Sequence, residues 1–81
     1  MMLRLYKFTC PGNYSVCSGV IIFATREYLA PEPALLAGQD IAVRSGITHF
    51  LDGEVSYLGT FMPATEPPAI PYVIHCETGE Y

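Results

Sequence analysis

Apolar and polar positions alternate with a period of two at the start of the chain. In residues 3–9, Leu-Arg-Leu-Tyr-Lys-Phe-Thr, Leu3 and Leu5 share one face and Tyr6 and Phe8 the other. That alternation predicts a strand, with Arg4 and Lys7 long enough to carry their charges out to water. Pro11-Gly12-Asn13 has the composition of a turn. A second strand is predicted from about Tyr14 or Val16 to Thr25. Its centre, Val20-Ile21-Ile22-Phe23-Ala24, is an almost unbroken β-branched and aromatic run. Such a run reads as a central strand covered on both faces. The short connection makes the two strands antiparallel neighbours.

Residues 25–30 follow no single period. Pro31 and Pro33 break any helix that runs through them, but Pro33 is tolerable in a first turn. The predicted helix is therefore 33–44, from Pro33 to Arg44. Glu32 near its start and Arg44 near its end suit the helix dipole. Gly46 is placed to cap it, Gly38 weakens its middle by roughly 1 kcal/mol relative to alanine, and Leu35, Leu36, Ile41 and Ala42 supply a stripe for burial. Next, Asp52-Gly53 carries a type I′ hairpin signal, with arms at 47–51 and 54–61. On the outgoing arm Val55, Tyr57 and Phe61 fall on one face, and Glu54, Ser56 and Thr60 on the other. Residues 63–69 are proline-rich and belong outside a sheet interior. Strand pattern returns at 70–76, where Pro71 marks an edge. Residues 77–81 read as a polar tail, a candidate for disorder. The whole predicts an α+β fold: a small, mostly antiparallel sheet of four to five strands, with one helix packed on one face.

Composition narrows this picture. Eighty-one residues make a single domain with a thin core. No apolar run approaches the ~20 residues of a membrane span, and the first residues lack the core and cleavage site of a signal peptide. The expected compartment is the cytoplasm, which favours free thiols at Cys10, Cys17 and Cys76 over a Cys10–Cys17 disulfide across the first hairpin, although the geometry of a hairpin permits one. Residues 1–44 hold four cations, Arg4, Lys7, Arg26 and Arg44, against three anions, Glu27, Glu32 and Asp40, for a net +1. Residues 45–81 hold Asp52, Glu54, Glu66, Glu77 and Glu80 with no Lys or Arg, for a net −5. That acidic half argues against direct binding of nucleic acid and suits a basic protein surface. Plain solubilising charge on an apolar domain is the simpler account of it.

Catalytic and metal chemistry find little support. Cys10 and Cys17 are too far apart in sequence for the usual paired zinc ligands. His75 and Cys76 are adjacent, so a strand points them to opposite faces. His49 or His75 with a thiol would make a nucleophilic pair only with a third, orienting group. No phosphate loop, nucleophile elbow or helically spaced carboxylate pair occurs. No enzyme activity, cofactor or metal is expected. Most aromatic residues fall at strand positions and read as core. Tyr14, Tyr28 and Tyr81 lie in or near predicted loops and are candidates for protein contact.

Two segments carry a resemblance. The N-terminal strand at 3–9 precedes an apolar strand ending in Ala24 and a helix. Then Val55-Ser56-Tyr57-Leu58-Gly59 is followed by Glu66-Pro67 and a closing strand at 70–76. Over about half its length the chain resembles small stand-alone proteins of bacteriophages and prophages. It departs from them in its helix, which lacks their glutamate-rich character, and at Pro68, where they carry glycine after glutamate-proline. The resemblance implies a class of action: stoichiometric inhibition of host defence, as by anti-CRISPR proteins, in the cytoplasm of a bacterial host. The expected partner is the basic surface of a host protein or nucleoprotein complex. Asp52, Glu54, Glu66, Glu77 and Glu80 would face it, with Tyr14 and Tyr28 as anchors. Two other readings stand beside this one. A sponge for a nucleotide signal would need Arg4, Lys7, Arg26 and Arg44 to converge. A self-associating accessory phage protein, a homo-oligomer, would fit the apolar composition.

Overall fold

The structure, a computed structural model, describes residues 2–10, 18–45 and 53–79. Its elements are β1 (Leu3–Cys10), β2 (Ser18–Thr25), α1 (Pro31–Arg44), β3 (Glu54–Phe61) and β4 (Tyr72–Gly79). The four strands form one antiparallel sheet in the order β3-β1-β2-β4. One helix on one face of this sheet gives a small α+β fold, as the pattern predicts. The first two strands are the central pair, and β4, introduced by Pro71, is an edge. Gly46, the incoming hairpin arm, Asp52, Tyr14, Cys17 and His49 lie outside the described residues. β4 runs on to Gly79, so Glu77 belongs to a strand rather than to a polar tail.

The helix begins two residues earlier than predicted. Pro31 and Pro33 both sit in its first turn. The first amides of a helix have no intrahelical partner, so prolines there sacrifice nothing. Ala34 N–H closes the first turn on the Ala30 carbonyl at 3.0 Å. The buried stripe also differs. Ala34, Gly38, Ile41 and Ala42 face the sheet, Leu35 is half-buried and Leu36 is 59% exposed. The reason is Phe8. A Cβ built on Gly38 would lie 2.5 Å from the Phe8 ring and 2.9 Å from its Cβ. Small residues at 34, 38 and 42 let the helix settle onto that ring, and no leucine fits there.

The core is Tyr6, Phe8, Ile21 and Phe23 from the two central strands against Ala34, Ile41 and Ala42 of α1. The helix packs on β1, β2 and β3. The other face of the sheet carries no helix among the described residues. Its cross-strand rows read Glu54, Thr9, Val20, Glu77; then Ser56, Lys7, Ile22, His75; then Gly59, Leu5, Ala24, Tyr72. β2 is thus central in the sheet but covered by the helix on one face only. Residues 62–71 link the two edge strands past the end where β1 starts and β2 stops. Arg26, just beyond β2, pairs with Glu66 of this link at 3.6 Å. Leu3, Ala24 and Pro67 are all buried at that end.

The face assignment of β3 changes midway. The register slips between Leu5 and Tyr6, so Tyr57 lies opposite Tyr6 while Gly59 lies opposite Leu5. Leu58 is the extra residue of a bulge, and Gly59 beside it takes φ +118°. Val55 and Tyr57 therefore face the helix side, as one set, but Phe61 joins Leu3 on the open face.

Candidate protein-binding site

Tyr6 organises the site. It pairs in register with Phe23 on one side and Tyr57 on the other. Its ring stacks on Phe23 at 5.4 Å and 20°, and meets Tyr57 at 5.3 Å and 52°. Tyr6 itself is 1% exposed. A buried phenol needs a partner for its hydroxyl. Here the Leu29 N–H donates to the Tyr6 oxygen at 2.5 Å, and the hydroxyl lies 3.4 Å from the Leu29 carbonyl. This ties the loop after β2 to the middle of β1, and Tyr28 precedes the tied residue.

The result is a pair of surface tyrosines in fixed positions. The Tyr28 and Tyr57 rings meet edge to face at 5.2 Å and 86°, and Tyr28 lies 6.4 Å from Tyr6. Tyr28 is 56% exposed and Tyr57 42%. Arg4 Nη1 donates to the Tyr57 hydroxyl at 3.4 Å. Edge-to-face packing is favourable for aromatic quadrupoles. The two rings are therefore held by aromatic contacts and by the Leu29 tether, yet both present surface to solvent.

The predicted acidic residues do not gather at one place. Glu66 joins the loop that carries Tyr28, through Arg26. Glu27 and Glu32, both exposed, flank Tyr28 in sequence. Glu54 and Glu77 lie in one row of the open face on the two edge strands, about 14 Å apart for three strand spacings. Asp52, Glu80 and Tyr14 lie outside the described residues. Tyr28 holds the exposed position expected of it. Tyr57, expected in the core, is the residue missed. Its strand alternates Glu54, Ser56 and Thr60 with apolar residues, and that polar content was the available sign of an edge.

The other chemistry can be placed as well. Among the described residues no group of three or more His, Cys, Asp or Glu is set to hold a metal ion. His75 lies opposite Ile22 on the open face, and Cys76 opposite Ile21 on the helix side, so these neighbours do not share a site. His75 instead contacts Glu77 at 3.2 Å. The four cations do not converge: Arg26 pairs with Glu66, Arg44 with Asp40 at 3.0 Å, and Arg4 and Lys7 occupy opposite faces of β1. No helix among the described residues is long and apolar enough to cross a membrane. Comparison with protein families, with curated proteins and with solved structures finds no match.

Proposed function

We propose that this chain is a non-enzymatic binding protein that docks on a basic surface of a host protein or nucleoprotein complex through Tyr28 and Tyr57. The observation that carries this reading is that both rings are exposed and already fixed. A ring held in place before contact loses little conformational freedom on binding, and tyrosine is enriched among residues that dominate interface energies. Glu66, Glu27 and Glu32 give this end of the molecule carboxylates to meet a cationic rim. The resemblance to phage and prophage proteins supports a defence complex of a bacterial host as the partner, with inhibition following from occupancy of the surface. The scattered cations speak against the sponge for a nucleotide signal.

Affinity capture from a bacterial lysate tests this reading, comparing the tagged wild-type chain with Tyr28→Ala. Tyr28 is largely exposed, so its replacement should cost no more than its edge-to-face contact, about 1 kcal/mol, and leave the chain folded, as thermal melting would show. A specific partner recovered by the wild type should be lost, with affinity falling at least about tenfold. A partner held equally well by the variant would sink the tyrosine anchor. A Glu27→Lys/Glu66→Lys variant that binds as before would sink the electrostatic part.

A further inference from the structure

We propose that the chain pairs with a second copy of itself along the open edge of β4, with the two-fold axis passing between the two Cys76 residues. This stands apart from the tyrosine reading, which uses the loop after β2 and the opposite edge.

Among the described residues β4 is the outermost strand on its side, paired with β2 along one edge and with no strand along the other. The usual protections of such an edge are a lysine, a proline or a break in regularity. Tyr72–Gly79 contains neither Lys nor Pro. Its irregularity, at Ile74, lies near its start and leaves 75–79 in unbroken register with β2. The helix packs over the other three strands, and Val73 and Ile74 are each 40% exposed. At the other side of the described sheet, β3 is interrupted at mid-length by the Leu58 bulge and Gly59, which makes it a poorer template.

Geometry restricts the register. Two copies of one strand pair antiparallel in a continuous sheet only about an axis perpendicular to the sheet. Directly opposed residues share a face, so some residue must then lie opposite its own copy. With His75 at the axis, two imidazoles meet. With Glu77 there, two carboxylates meet, and like charges directly opposed are unfavourable. With Thr78 there, Glu77 faces Gly79. With Cys76 at the axis, His75 faces Glu77 of the second copy, and the same pair recurs across the axis. The contact that His75 and Glu77 make within one chain, 3.2 Å between Nε2 and Oε2, is thereby offered twice between chains. Complementarity between an imidazole nitrogen and a carboxylate, met twice, selects this register, and the product is an eight-stranded sheet with both helices on one face.

Light scattering over a concentration series, under reducing conditions, reads the association. The mass should rise from one chain to two as concentration increases. Glu77→Lys sets a cation against His75 and should weaken the dimer roughly tenfold or more. The exchange His75→Glu with Glu77→His restores the pairing across the axis and should restore the dimer. Circular dichroism and thermal melting check that each variant is folded. A short bis-maleimide reads the register: mass spectrometry of the cross-linked species should find Cys76 joined to Cys76. A single-chain mass at every concentration overturns the proposal, as does a dimer indifferent to Glu77→Lys. Cross-links through Cys10 or Cys17 without Cys76–Cys76 overturn the register. Tyr28→Ala should leave the mass unchanged, so this proposal and the tyrosine reading fail separately.

Discussion

On the face that α1 covers, Tyr6, Phe8, Ile21 and Phe23 are at most 1% exposed. On the other face of the same strands Leu5, Val20 and Ile22, which are equally apolar, are only half-buried. The difference does not lie in the side chains. It lies in what reaches them. Among the described residues one helix covers one face, and the 62–71 link passes the end near Leu3 and Ala24. An apolar run such as Val20–Ala24 states that a strand is central in its sheet. It does not state how many faces are covered, because the covering element is specified elsewhere in the chain.

Substitutions on the two faces should separate them most sharply at Phe8. Phe8→Ala removes a ring that carries the helix and should cost about 3–5 kcal/mol. Ile22→Ala, on the open face, should cost no more than about 1–2 kcal/mol, since much less area returns to water. Urea unfolding of both variants measures this, and equal losses would mean that the open face is as closed as the other. Gly38→Ala probes the same contact from the helix side. Helix propensity alone predicts a gain of about 1 kcal/mol. The new Cβ would press on the Phe8 Cβ, which the backbone fixes, and overpacking costs about 1–3 kcal/mol. A net loss of up to about 2 kcal/mol is expected, and a stabilised variant would show that α1 does not rest on Phe8. Tyr6→Phe has the smallest effect. It strips the Leu29 N–H of its acceptor and should cost about 1 kcal/mol. It should also loosen Tyr28, seen as faster fluorescence depolarisation of that ring; an unchanged Tyr28 would mean that the Leu29 tether does not position it.

Much of the architecture was legible from local pattern. The alternation in β1, the β-branched run in β2 and the short connection between them account for the central pair. Pro71 marked the edge strand that follows it. What escaped was set by contacts distant in sequence. Leu36 counts toward the apolar stripe by composition, but with Ala34, Gly38, Ile41 and Ala42 turned to the sheet it lies on the opposite side of the helix and is exposed. Phe61 changed face because one extra residue, Leu58, entered β3, and nothing in its local alternation announces a bulge. Tyr57 fits a core position by its local alternation, and nothing local places β3 at the outside of the described sheet. The acidic half of the sequence suggested a single acidic surface, but the fold sends Glu66 to one end of the molecule and Glu54 and Glu77 to opposite edges at the other.

The strand order carries one more consequence, for how such a sheet can be assembled. In chain order the strands take the places second, third, first and fourth across the sheet. The pair that emerges first from a ribosome is the middle pair, and each later strand attaches to an outer side of what is already there. No strand is ever inserted between two that have paired. The sheet can therefore grow outward from its centre in step with synthesis, without undoing a hydrogen bond already made.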